Sequence, residues 1–362
     1  MKPPLRNTLN FVGSVLIGAA SISLVLYFVG WRATLDAMRA LTVVGILEVF
    51  GTVALTVGAW VIGWRIILRA YGIRTPFRRV IGARLSMFAV SYLTPTLYFG
   101  GEPFGAFLVA DKETAPLTRV FATIIVERFL LGVSLTLFML VGGFYAATSP
   151  AITLSEKRAC IAGLGFIAAW ILIGLVNFAW NLKWVSRIMR WLGRVVPRWQ
   201  ERLTRAAAKM SETEDEVSYA FTRHRKATFL AFLVQIVTTV LTFLRPQVFF
   251  GASLGMRFSI SQLSIIYSLY ILMGFLFWIT PGGLGTSEAA SIGMFRLVAP
   301  TITTGQAVAY SLTFKLVEAV FVAIGVWYLM QRGLHFLERR AVGSAHLAEE
   351  DLPRKDRNKP PS

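Results

Sequence analysis

The chain has 362 residues, 55% of them hydrophobic and only 15% charged, with a mean hydropathy of +0.61. A water-soluble protein of this size cannot hide so much apolar surface, which excludes an ordinary globular domain and points to a polytopic membrane protein. The 37 Lys and Arg exceed the 19 Asp and Glu for a net charge of +18, but the bases fall between hydrophobic runs, so membrane orientation accounts for them and no nucleic-acid partner is expected.

The first apolar run, about Leu9 to Gly30, is long and lacks a small-residue cleavage site, so it reads as a retained membrane helix rather than a signal peptide. A second run, about Val43 to Leu68, leads into Arg65, Arg69, Arg74, Arg78, Arg79 and Arg84 with no intervening acid. The positive-inside rule makes that stretch a cytoplasmic loop and, through the two crossings before it, places the amino terminus with Lys2 and Arg6 inside as well. Val80 to Ala110 is not a plain span: the half-segment SMFAVSYL is followed by TPTLYFGGEP and then by FGAFLVA. Plain spans resume at about Arg119 to Ala147 and Cys160 to Asn181. The polar stretch 183–226 is rich in bases and reads as a cytoplasmic loop. Within it Trp184, Ile188, Trp191, Leu192 and Val195 alternate with Arg187, Arg190, Arg194 and Arg198 at helical spacing, the pattern of a helix lying flat on anionic inner-leaflet lipid. Thr228 to Phe250 is the next span. Ser261 to Val298 is a second broken region, in which YSLYILMGFLFWI meets TPGGLGTSEA and then ASIGMF. Gln306 to Met330 is the last span, and residues 341–362 read as a disordered, polar, cytoplasmic tail.

Proline removes a backbone donor and clashes with a continuing helix, and paired glycines loosen the chain, so both broken regions are expected to be unwound. Unwound backbone at membrane depth has to face protein or water, because lipid offers no hydrogen bonds. The two breaks resemble one another. Thr94-Pro95 precedes Gly100, Gly101 and Glu102, while Thr280-Pro281-Gly282-Gly283 precedes Glu288. Downstream of each comes a helix carrying an acid, Glu127 in the first half and Glu318 in the second, and upstream of each an arginine, Arg65 and Arg245. This reads as an internal duplication, and the charge-derived topology gives its copies opposite directions. The expected architecture is therefore an all-α polytopic integral membrane protein of about six full transmembrane helices plus two re-entrant broken-helix hairpins. Residues 1–340 form the membrane domain, with inverted repeats at about 9–147 and 158–330. Charge bias does not distinguish re-entrant hairpins from eight full crossings.

Acids at membrane depth cost roughly 3 kcal/mol each on the insertion scale, so they face an interior and have partners. The candidates are Glu48, Glu102, Glu127, Glu288 and Glu318, with Arg65, Arg128, Arg245, Arg296 and Lys315 as possible partners. Lys315 and Glu318 lie three apart and can share a helical face, where a pair could simply hold the bundle together. Glu102 and Glu288 each follow a break, where helix amino-terminal amides stabilise an anion, so either capping or contact with a substrate fits them. Arg65 fits a snorkelling role. Arg245 falls near the outer end of its helix, where the inside rule gives it no reason to be, and a guanidinium there suits a phosphate headgroup. Glu48 reads as interfacial, and Trp31, Trp60, Trp64, Tyr71 and Tyr92 as anchors or packing residues. Cys160 alone excludes a disulfide or a thiolate metal cluster, and His224, His335 and His346 sit in polar segments, so neither a metal nor another cofactor is expected. No GxxxxGK[ST] phosphate loop occurs, which argues against ATP hydrolysis.

The strings GGEPFGAFLVAD, TRVFATIIVERFLLG and TPGGLGTSEAA, in that order, resemble the lysylphosphatidylglycerol synthetase transmembrane region, also described as flippase-like integral membrane proteins, from about Leu85 to Trp327. The resemblance implies a bacterial inner-membrane protein, not an enzyme, that moves a lipid between leaflets. After Met330 only a short tail remains, leaving no room for the soluble aminoacyl-transferase domain of the two-part relatives. The cargo, an anionic or modified phospholipid or an isoprenoid-linked lipid, does not carry over. The expected translocation set is Gly100, Gly101, Glu102, Glu127, Arg128, Arg245, Pro281, Gly282, Gly283, Glu288, Lys315 and Glu318, lining a midplane polar cavity. Two other readings are a scaffold that recruits a lipid-synthesising enzyme and a membrane-embedded headgroup transferase using Glu102 or Glu127 as general base.

Overall fold

The computed structural model describes residues 31–94, 100–111, 113–148, 153–196, 199–277 and 280–350; the first expected span, Leu9 to Gly30, lies outside them. The protein is an all-α polytopic membrane protein, and among the described residues there is no strand beyond one isolated bridge between Asp111 and Ala115.

A short helix, α1 (Trp31–Arg39), precedes α2 (Val43–Ala70), whose start is capped by the Thr42 hydroxyl accepting from the Gly45 amide. Then come α3 (Phe77–Leu93), α4 (Glu102–Val109), α5 (Leu117–Thr148) and α6 (Leu154–Ala179). Outside the bundle lie α7 (Trp184–Val195) and α8 (Gln200–Thr222). The second half runs through α9 (Arg225–Phe243), α10 (Arg245–Leu254), α11 (Ile260–Phe277), α12 (Thr286–Val298) and α13 (Thr304–Glu350). Five stretches are long and apolar enough to cross a membrane: Val43–Ala70, Leu117–Thr148, Lys157–Phe178, Arg225–Leu254 and Thr304–Arg332. They match the five expected spans that fall within the described residues. The helix α13 runs on past residue 341, where composition suggested a disordered tail, because LERRA and AHLAEE are strong helix formers.

Both broken regions are broken where the prolines require it. Thr94 closes α3 with φ −99° and ψ 137°, the extended backbone that a following proline imposes. Chain then re-enters through Gly100, at φ 154°, and Pro103 sits in the first turn of α4, where a missing amide is harmless. In the second half a single 3-10 turn, Pro281–Gly283, separates α11 from α12, with Gly282 at φ 61°. At about 1.5 Å per residue, the 8 residues of α4 reach only about 12 Å and the 13 of α12 about 20 Å, short of a bilayer core. A third proline, Pro246, opens α10 and divides it from α9 at Leu244, in the middle of an otherwise continuous span.

The helices of the two halves interlock through three seams. Along α2, Gly63 faces Gln235 of α9 while Gly45 faces Ala252 of α10, so the partners run antiparallel. On α3 the Ser86 hydroxyl donates to the Gly325 carbonyl of α13 at 3.0 Å, and Gly82 faces Tyr328, again antiparallel. Gly325 has to be glycine, because a Cβ there would lie 2.1 Å from the Leu85 carbonyl oxygen. The third seam joins α5 to α11, with Gly142 against Ser264 and the Ser268 hydroxyl donating to the Met139 carbonyl at 3.3 Å. In hydrocarbon, where apolar burial gives helices no reason to associate, close backbone approach and buried hydroxyls of this kind supply the cohesion.

The α7–α8 hairpin is anchored by acids. Glu214 on α8 accepts from the Val185 and Ser186 amides at 3.0 and 3.3 Å, capping the amino terminus of α7. Asp215 accepts from Asn181 at 2.8 Å and Lys183 at 2.7 Å, holding the left-handed turn (φ 49° and 54°) that leads out of α6. Ser186 and Gly193 form the buried face of α7, while Ile188, Trp191 and Val195 point outward and are exposed. Arg187, Arg190 and Arg194 are offset to one side of that stripe.

Candidate functional site: paired charges at two helix breaks

Each break carries a largely buried cluster of two acids and two bases, assembled on a similar plan. In the first, Arg84 of α3 donates from both terminal nitrogens to the two Glu127 oxygens, at 3.0 and 2.9 Å. Both side chains are sealed, at 2% and 0% exposure, and the Gln235 amide of α9 adds a third donor to Glu127 at 2.8 Å. The Arg84 guanidinium also stands over the Trp60 ring, 5.5 Å from its centroid. Beside this pair, Glu102 at the first position of α4 accepts from the Gly100 amide at 2.6 Å and binds Arg128 of α5 at 2.9 Å. The Gly101 amide donates to Ser91 at 3.0 Å, tying the re-entering chain to the end of α3.

In the second cluster Glu288, fully buried in the first turn of α12, accepts from the Gly285 amide at 2.6 Å and from the Ser311 hydroxyl at 2.9 Å. Lys315 of α13 binds the same carboxylate at 2.7 Å and donates to the Gly283 carbonyl at 2.9 Å, so one ammonium closes the turn and pairs its acid. One helical turn on, Glu318 accepts from Arg245 of α10 at 2.8 Å, and that guanidinium lies 5.0 Å from the Phe314 centroid. The plan repeats between halves: the acid after the break pairs with a base on the following long helix, and an acid on that helix pairs with an arginine from elsewhere. Each cluster is charge-neutral, which is what allows it to sit in a low-dielectric interior.

The end of α3 also meets the second break. Tyr92, near the end of α3, packs directly on Gly282, where a Cβ would fall 2.6 Å from its ring. Next to the second break, a crevice with an internal volume of about 20 Å³ is lined by Tyr270, Met273, Gly274, Thr286, Ser287 and Ser291, among others.

The structure thus brings the expected residues together, with four corrections. Lys315 and Glu318 share a face but do not pair with one another; each reaches a different element. The arginine that meets Glu127 is Arg84, whereas Arg65 lies over the Phe77 ring at 4.5 Å. Arg84, read as a solvated loop base, belongs to the interior of α3, because the helix begins at Phe77 and carries the end of the basic run inward. The expected open chamber is closed here around Glu127 and Glu288, whose oxygens are satisfied by protein donors. Glu48 and Arg296 are exposed, away from both clusters. Trp64, fully buried, donates to the Thr123 hydroxyl at 3.0 Å, and Tyr71 donates to the Glu216 carbonyl, so both are packing residues. Sequence reading missed Arg84, Gln235, Ser311 and Tyr92 as members of the site. For Arg84 the signal was present: it precedes LSMFAV without a helix breaker.

The helices, their interruptions and the paired charges define a polytopic helical membrane protein with a polar interior. The chain belongs to the family of the lysylphosphatidylglycerol synthase transmembrane region, whose sequence profile matches residues 11–325. Among similar proteins are UPF0104 membrane proteins of three archaea. The one from Pyrococcus horikoshii is 24% identical over 300 residues, 78% of this chain and 86% of that protein. One from Methanothermobacter thermautotrophicus is 22% identical over 322 residues, 85% of this chain and 93% of its own length. That of Methanocaldococcus jannaschii is 24% identical over 264 residues, 72% of this chain and 76% of the relative.

Proposed function

We propose that this protein is a lipid flippase, moving an anionic or modified phospholipid, or an isoprenoid-linked lipid, between the leaflets of the inner (plasma) membrane. The observation that carries the reading is the pair of neutral charge clusters, each seated where a membrane helix is interrupted, with Tyr92 at the end of α3 packed on Gly282 of the second interruption. Bundle cohesion alone does not need such an arrangement, since buried ion pairs rarely improve on apolar packing. A charged headgroup engages it: an anion is drawn to Arg245 or Lys315 and a cation to Glu102 or Glu288, while acyl chains stay in lipid. The three antiparallel seams support the two helix sets as an inverted repeat, within which engagement of the headgroup opens the site to alternate sides.

In this reading the protein performs no headgroup chemistry, and both termini face the cytoplasm together with the α7–α8 hairpin. The outward stripe of Ile188, Trp191 and Val195, flanked by arginines, rests on anionic inner-leaflet lipid. The test is translocation of fluorescent phosphatidylglycerol and of an isoprenyl phosphate in proteoliposomes. Glu102→Gln and Glu288→Gln are expected to abolish movement by the folded protein. Wild-type rates in both variants refute the site. Movement no faster than in protein-free vesicles for either lipid favours a non-transporting partner of a lipid-synthesising enzyme.

A further inference from the structure

The two arginine–glutamate pairs each sit beside a break but are not built alike. Arg84 is clamped through both terminal nitrogens by both oxygens of Glu127, and Gln235 fills out that carboxylate. Arg245 gives one terminal nitrogen to one oxygen of Glu318, and its Nε, although buried, has no hydrogen-bond partner. The Tyr267 hydroxyl is likewise buried, with the Thr239 side chain beside it at the margin of hydrogen-bonding geometry. Both residues are more than nine-tenths buried, at 8% and 3% exposure. Both also line one narrow cleft with an internal volume of about 10 Å³, together with Thr242, Tyr270 and Tyr310.

An unsatisfied guanidinium N–H and a marginally bonded phenol inside one cleft are each unfavourable unless something accepts from them. Arg245 already has a counter-charge and keeps its Nε edge open, the edge that a planar fork presents to phosphoryl oxygens. The phenol adds a donor without adding charge. Tyr270 lines this cleft and also the larger crevice between α11 and α12, so the two spaces share a wall. Met273 and Met294 with the hydroxyls of Thr286, Ser287 and Ser291 line the rest of that crevice, a mixed surface that suits the junction of a headgroup and its chains.

We propose that Arg245 and Tyr267 form a phosphate subsite, accepting a phosphoryl group on the open Nε edge while Glu318 stays paired, and that the Arg84–Glu127 fork is a structural lock without a ligand. This rests on the lipid-transport reading and names the group that is recognised. It assigns unequal roles to the two arginine–glutamate pairs: Arg245 with Glu318 reads the phosphate, and Arg84 with Glu127 holds the frame.

The experiment measures the melting temperature of the purified full chain in dodecyl maltoside, a phosphate-free detergent. It titrates dioctanoyl phosphatidylglycerol, inorganic phosphate and, as the chain-only control, dioctanoylglycerol. Wild-type protein is expected to be stabilised by phosphatidylglycerol and not by dioctanoylglycerol. Tyr267→Phe and Arg245→Lys are expected to raise the half-saturating concentration about tenfold or more, the loss of a hydrogen bond to a charged group. Tyr267→Phe removes only one oxygen and keeps the test decisive if the arginine variant fails to fold. Unchanged half-saturation in Tyr267→Phe, or equal stabilisation by dioctanoylglycerol, would overturn the subsite. Stabilisation by inorganic phosphate alone, lost in Tyr267→Phe, supports the subsite and assigns it to a soluble anion. The same variants in proteoliposomes separate the two ideas. Phosphate-dependent binding without transport sinks the flippase reading and keeps the subsite, whereas transport with unaltered binding in the variants does the reverse.

Discussion

Replacing Glu127 by Gln removes the charge from the most enclosed carboxylate of the first cluster while nearly preserving its shape. Three buried hydrogen bonds end on that carboxylate, two from Arg84 and one from Gln235. An amide at this place accepts through one oxygen only and turns two N–H donors toward a guanidinium that has nothing but donors. Arg84, 2% exposed, is then a buried charge without a counter-charge. Breaking a buried pair from one side costs about 3–5 kcal/mol, whereas replacing both partners by apolar residues of similar volume is close to neutral. The expected result is a loss of that order in Glu127→Gln and recovery of most of it in the double variant Arg84→Met/Glu127→Leu. Reversible unfolding in mixed micelles, followed by tryptophan fluorescence, reads both. If the single variant lost less than about 1 kcal/mol, the range of an exposed pair, Arg84 would have to reach water and the lock would not exist.

Gly101→Ala places a Cβ 2.0 Å from the Met87 carbonyl oxygen, so the re-entering chain must back away from α3; a destabilisation of about 1–3 kcal/mol is expected in the same assay, together with release of the Ser91 contact. Trp191→Glu inverts the outward face of α7 without touching the buried Ser186 and Gly193 side. Labelled at α7, the protein in vesicles containing phosphatidylglycerol should lose bilayer quenching of the probe, while melting of the bundle stays unchanged; quenching equal to wild type would mean that α7 stands clear of the membrane.

Much of the site was legible because membrane residues answer to strict rules. A charge in an apolar run must have a partner, and a proline–glycine string must interrupt a helix, so Glu102, Glu127, Arg245, Glu288, Lys315 and Glu318 declare themselves. What spacing did not settle was who meets whom. Lys315 and Glu318 are neighbours on one face, yet Lys315 finds Glu288 and the Gly283 carbonyl because the turn before α12 folds back onto α13. Arg65 and Arg84 are both bases of one run, yet only Arg84 reaches Glu127, since the start of α3 at Phe77 carries it into the bundle.

Sequence by itself determined that this chain lives in a bilayer, where its spans lie and where two of its membrane segments break, because lipid enforces hydrophobicity and backbone satisfaction locally, residue by residue. Tertiary structure alone decided that one arginine is clamped from two sides while its counterpart keeps an edge open beside a buried phenol. Pairing across helices depends on crossing points and on the depth at which each half-helix stops, and those follow from how glycine and serine faces let the seams close.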